Sequence, residues 1–206
     1  NNQTIIDRLI NQLLGVNIQD ITIVTGYQSK AYDEKFRNNK NIKLIYYPFY
    51  SDTNNLHTLW FIKELLNDDT IVSFSDLILD ENILIRLVNS KSDLAFAVHS
   101  LNILDGTMKV SFNSSTLTSI TRTSIEKANG NFVGISKFSK NGCGIVVDEM
   151  LKIVKSGHKN DYYTIAIDNY IKSGGFVEAI NVNRDRWIEI DDANNYNEAI
   201  SIFGNN

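Results

Sequence analysis

Short apolar, β-branched runs alternate with segments of helical periodicity through the first half of this chain, and that alternation constrains the fold more than any other feature. Ile5, Ile6, Leu9, Ile10, Leu13 and Leu14 recur at helical spacing, which predicts an amphipathic helix from about Thr4 to Leu14 closed by Gly15. Ile21–Thr25 (ITIVT) reads as a strand, Ser29–Arg37 as a polar helix, and Ile42–Tyr47 (IKLIYY) as a second strand stopped by Pro48. Helix, strand, helix, strand in that order predicts an α/β fold. It calls for a mostly parallel sheet with helices on its faces, joined by right-handed crossovers.

Thr53, Asn54 and Asn55 precede an apolar periodic segment running from Leu56 to Leu66, so Thr53 or Asn54 is the expected N-cap. Backbone amides left free at such a helix start can also hold a phosphate, and His57 inside the helix is a candidate nucleotide contact. The stretch Ile71–Asp80 (IVSFSDLILD) then reads as a buried strand delivering Asp76 to its C-terminal end, where open α/β sheets place their ligands. A carboxylate there suits a magnesium ion carrying a nucleotide phosphate, although Asp and Ser also simply end strands. Asp80 is expected to cap a helix over Glu81–Val88.

After a strand at Asp93–Val98 the pattern changes. Met108–Phe112 and Leu117–Thr121 form an expected hairpin turning at Asn113–Ser115, followed by a strand at Phe132–Phe138. This predicts a small antiparallel insertion, a wall against which an acceptor can bind. Helices are expected over Ser139–Lys155 and from about Tyr162 to Lys172, then a strand at Phe176–Val182. A second apolar run, WIEID, ends at Asp191 and leads into a helix holding Tyr196, Ala199, Ile200 and Phe203, with Tyr196 expected in the core. Two carboxylates, each at a strand end of one sheet, can converge on a single cation.

The 206 residues are 43% hydrophobic, enough for one domain with a real core, and no linker or repeat divides them. A formal charge of −4 without a basic stripe argues against a nucleic-acid partner. The single cysteine, Cys143, rules out an intrachain disulfide; in NGCG it reads as a small residue at a tight turn in preference to a reactive thiol. His57, His99 and His158 show no metal-ligand spacing among themselves. No apolar segment approaches the roughly 20 residues of a membrane span and no signal peptide is evident, so the expectation is a cytoplasmic protein.

The chain resembles the sugar-phosphate nucleotidyltransferase superfamily, in particular bacterial phosphocholine cytidylyltransferases and the nucleotidyltransferases associated with phosphonate pathways. The resemblance runs through DITIVTGYQSK, YPFYSDTNNLHTLWFIKELL, IVSFSDLIL, ANGNFVGISKFS and GGFVEAINVNRDRWIEIDDANNYNEAI. It implies a Rossmann-like three-layer sandwich of the GT-A type with a mostly parallel central sheet. Asp76 corresponds to the family's strand-end magnesium ligand, and Asp191 to the aspartate of its late acidic motif. The resemblance places Asn54, Asn55 and Ser75 along the nucleotide, and Tyr162, Tyr163, Glu178, Trp187 and Glu189 on the acceptor side. The family's opening strand, its Gly-rich loop and a Pro-Lys pair have no counterpart here. Because NNQTIIDRLINQLL matches the helix that follows them, the resemblance implies that they precede Asn1.

The activity so implied is magnesium-dependent transfer of CMP from CTP, or of another nucleotide, to a small phosphorylated or phosphonate acceptor of phosphocholine, aminoethylphosphonate or phosphoglutamine type, releasing pyrophosphate. A sugar-1-phosphate acceptor and a non-catalytic nucleotide-binding relative are the alternatives. A glycosyltransferase of related architecture would want a close acidic pair at the first site, which FSDLILD lacks. A choline-like head would call for an aromatic cage, for which Tyr162, Tyr163 and Trp187 are candidates, and assembly as a homodimer is left open.

Overall fold

The computed structural model describes residues 3–122 and 128–204. Helix α1 (Ile5–Gly15) opens on a capping box in which the Thr4 hydroxyl accepts from the Asp7 amide and the Asp7 carboxylate accepts in return from Thr4. Strand β1 (Ile21–Thr25) crosses through α2 (Ser29–Phe36) to β2 (Ile42–Tyr46), and the two strands pair in parallel as the alternation predicts. Next come α3 (Asn55–Phe61), a 3₁₀ turn (Lys63–Leu65), β3 (Thr70–Ser73), β4 (Leu77–Leu79), α4 (Glu81–Asn89) and β5 (Leu94–His99). The second half holds β6 (Lys109–Asn113), β7 (Thr116–Thr121), β8 (Gly130–Phe138), α5 (Lys140–Lys155), α6 (Thr164–Lys172), β9 (Glu178–Asn181), β10 (Trp187–Glu189) and α7 (Ala193–Phe203).

The main sheet differs from the expected one. Its six strands run in the order β3-β8-β5-β9-β7-β6, and a further β6–β8 pairing closes it on itself. Within it β5–β9 is parallel, whereas β3–β8, β5–β8, β6–β7, β6–β8 and β7–β9 are antiparallel. The cause is β8. It returns from the β6–β7 hairpin and inserts between β3 and β5, turning both of its ladders antiparallel. The fold is mixed α/β, and the mostly parallel central sheet is not observed.

Helices nonetheless cover both faces, as strand alternation shows. Leu94, Phe96 and Val98 of β5, with Phe132 and Phe138 of β8, pack against Leu56 and Leu59 of α3, Val146 and Met150 of α5, and Ala166 and Ile167 of α6. Ala95, Ala97, Val133 and Ile135 face the other way, onto Leu9, Ile10 and Leu13 of α1, Ile83, Leu84 and Leu87 of α4, and Ile21 and Ile23 of β1. Each fully buried large side chain of these two cores is worth about 1.5–3 kcal/mol of transfer free energy.

Gly142 lets α5 lie directly on the start of β5, because a Cβ there would stand 2.1 Å from the Asp93 carbonyl oxygen. Cys143 therefore sits in the first turn of α5 and not in a tight loop. Ser139 caps that helix by accepting from the Gly142 amide, and the buried thiol donates to the Asp68 carbonyl. Tyr196, expected in the core, is 53% exposed, since α7 buries only Ala199 and Phe203. Among the described residues no helix is long and apolar enough to cross a membrane.

Candidate functional site

The element that builds the site is one the sequence reading did not separate. β3 stops at Ser73, the chain bends through Ser75 and Asp76, and a new strand, β4, begins at Leu77. β4 pairs antiparallel with β10, Leu77 opposite Glu189 and Leu79 opposite Trp187. The next rung sets Ile190 beside Asp76, and the Ile190 amide donates to the Asp76 carbonyl. Glu189 and Asp191 are two apart on an extended chain and so share a face, while the bend frees Asp76 from its own strand's alternation.

The outcome is a cluster of three carboxylates, Asp76, Glu189 and Asp191, whose nearest oxygens all lie within 4.8 Å of one another. One oxygen of Asp76, Oδ1, is buried without a hydrogen-bond partner. Burial raises Asp76 above the ordinary carboxylate range; its own backbone amide opposes this and the neighbouring Asp191 adds to it. Glu189 is pushed up to about 7, by burial first, then by Asp76 and Asp191, with Arg122 pulling the other way. Like charges crowded beside an orphaned oxygen want a cation, and an all-oxygen donor set suits a hard divalent one such as magnesium.

Asp80 takes no part. Arg186 grips its carboxylate through both Nε and Nη2, and although burial works against the charge, these bonds hold Asp80 below the usual carboxylate range. Asp80 stands at the N-cap of α4 but makes no side-chain cap bond there, being spent on Arg186. With Asp80 so engaged, no close acidic pair of glycosyltransferase type forms at this strand end.

No protein-family model matches the sequence, and no curated protein matches it either. The three-dimensional comparison is informative. The structure is similar to the CTP:phosphocholine cytidylyltransferase of Streptococcus pneumoniae, with a TM-score of 0.81 at 20% identity over 98% of this chain and 86% of that one. It is also similar to the inositol-1-phosphate CTP transferase of T. maritima, with a TM-score of 0.78 at 15% identity over 93% of this chain and 78% of that one. A third solved structure, assigned as a glucose-1-phosphate thymidylyltransferase of Bacillus anthracis, gives a TM-score of 0.76 at 14% identity over 96% of this chain and 81% of that one. The fold is the nucleotidyltransferase fold. The resemblance read from the motifs thus holds at the level of the whole backbone.

Within this nucleotidyltransferase fold the other anticipated residues divide. Asn54 caps α3 by accepting from the Asn55 amide, and the Asn55 side chain accepts from the Tyr163 amide, tying α3 to the segment before α6. Ser75 is exposed beside Asp76. His57 Nε2 lies 2.6 Å from the His158 carbonyl oxygen, a tie to the chain that leads toward α6. Tyr163 is drawn into the core: it is 2% exposed, packs edge-on to Phe74 and Phe138, and hydrogen-bonds Ser136. Burial pushes its hydroxyl far up.

Glu178 is also elsewhere. It starts β9 opposite Ala95, level through β8 with Lys137 and Ile71, at the end of the sheet where β3 begins; Asp76 follows the end where β3 stops. There Glu178 accepts from the Ser90 hydroxyl. Trp187 is half-buried with its ring against His99, centroids 5.8 Å apart. Glu189, expected on the acceptor side, joins the two aspartates, and the alternation within WIEID was the available signal for it. Arg122 was missed. It lies over the Tyr162 ring at 4.9 Å and its charge reaches Glu189, but nothing in the sequence around TRTS marks it.

Proposed function

We propose that this protein is a metal-dependent nucleotidyltransferase moving CMP from CTP to a small phosphorylated acceptor with release of pyrophosphate. The observation that carries this reading is the convergence of Asp76, Glu189 and Asp191, drawn from distant parts of the chain, around an unsatisfied buried oxygen. The likeness of the fold to two CTP-using enzymes supports the choice of nucleotide. Asp76 and Asp191, with Glu189 beside them, are the residues to hold a magnesium ion, which when bound neutralises charge on the nucleotide and acceptor phosphates.

An acceptor phosphate is already anionic, so attack at the α-phosphorus needs no side-chain nucleophile and no general base. The work left to the chain is positioning and charge compensation. Asn54 and Ser75 are assigned to the nucleotide side, and Tyr162 to the acceptor side.

The test is Asp76→Asn in the full-length protein, assayed for pyrophosphate release with magnesium, CTP and a panel of phosphorylated acceptors. A fall of at least about a hundredfold is expected for loss of a metal-holding carboxylate. Release at a rate near that of the unsubstituted protein overturns the assignment. Magnesium binding with no release from any nucleoside triphosphate points instead to a non-catalytic relative.

A further inference from the structure

Between the loop that follows β5 and the end of β7 lies a cleft of about 400 Å³, lined among others by Ile103, Asp105, Lys109 and Arg122. Arg122 is exposed, forms no ion pair with a described residue, and is held by cation–π contact over Tyr162 at 4.9 Å. Lys109 donates to the Leu104 carbonyl and the Thr107 hydroxyl, so that among the described residues one of its three N–H donors is left for the cleft. The cleft lies on the side of the carboxylate centre: Lys109 stands opposite Asn131 of β8, Asn131 opposite His99 of β5, and the His99 ring packs on Trp187 of β10, two residues before Glu189, whose charge Arg122 also favours.

This arrangement is wrong for a quaternary ammonium group. The face of Tyr162 is already taken by a cation, Tyr163 is in the core, and Trp187 packs on His99. None of these three rings is left to build a cage, and a cationic head would meet Arg122 directly. A guanidinium that pairs with no carboxylate among the described residues is the fork that a carboxylate fits in two-point fashion. We infer that Arg122, with Lys109 beside it, selects an acceptor bearing a carboxylate in addition to the phosphate that reacts. This rests on the transfer reading above and specifies its substrate class.

The experiment is isothermal titration of the full-length protein, with magnesium, against 3-phosphoglycerate, O-phosphoserine and phosphocholine, repeated with Arg122→Gln. At least one carboxylate probe is expected to bind tenfold or more tightly than phosphocholine. Arg122→Gln should weaken that probe by about ten- to a hundredfold, the usual worth of a charge-assisted pair, and leave phosphocholine no weaker, or tighter as the repulsion of its cationic head is relieved. Arg122 is exposed, and an unaltered melting temperature checks that the variant folds. The inference is overturned if phosphocholine binds as tightly as both carboxylate probes, or if the substitution weakens all three alike, which would put Arg122 on the shared phosphate. Pyrophosphate release measured on the same panel separates the two readings. Arg122-dependent selectivity without release overturns the transfer reading alone, whereas release that favours phosphocholine overturns the carboxylate subsite alone.

Discussion

Glu189 stands beside a half-buried aspartate and an exposed one and shares their field. Its carboxyl titrates at about 7 in the folded chain against 4.5 ordinarily. Between those values the folded state keeps a proton that the unfolded state has released. Without a divalent cation, stability should therefore fall as pH rises from about 4.5 to about 7 and level off above that. Melting temperatures over that range check the sign. Glu189→Gln should flatten the profile, raise the melting temperature at pH 8 in chelator, and weaken magnesium binding measured by calorimetry. Tyr163 makes the opposite kind of prediction. Buried in the core, Tyr163 should lose about 1 kcal/mol on Tyr163→Phe through the missing bond to Ser136 and leave acceptor affinity unchanged, as denaturant unfolding and titration can show.

At the scale of elements, sequence periodicity gave reliable positions and poor directions. The helices at Ile5–Gly15, Glu81–Asn89 and Lys140–Lys155 lie within a residue or two of where their apolar spacing puts them. An apolar run is blind to whether its neighbour runs with it or against it, so β8 could be located from FVGISKF but not seen to reverse the ladders on either side. β4 escaped notice because Leu77–Leu79 is too short to show a period and follows directly on a strand end. Yet β4 and its partner β10 are what bring the carboxylates together. The aspartates were legible as strand ends and Glu189 as their neighbour, whereas Arg122 depends on a tertiary contact with Tyr162 that no local pattern announces. The β1–β2 ladder is an isolated pair of strands, in contrast to the closed six-stranded sheet, and a two-stranded ladder is weak alone. Amide hydrogen exchange should therefore be faster in Ile21–Thr25 and Ile42–Tyr46 than in β5 and β8, where equal rates would show that α1 and α4 stiffen the pair fully.

For the whole molecule, the deciding fact is how far apart in the chain its converging parts begin. Helices α1 and α4 and strands β1 and β4 share a core with Val182 near the end of the chain, and Arg186 binds Asp80 while its Nη1 donates to the Ile202 carbonyl of α7. The segment after β9 is in this way clamped onto the early strands. Because Glu189 of β10 and Asp191 just after it supply two of the three acidic groups and Asp76 the third, the cluster assembles only once this late segment has docked on β4, so whatever loosens that docking scatters all three.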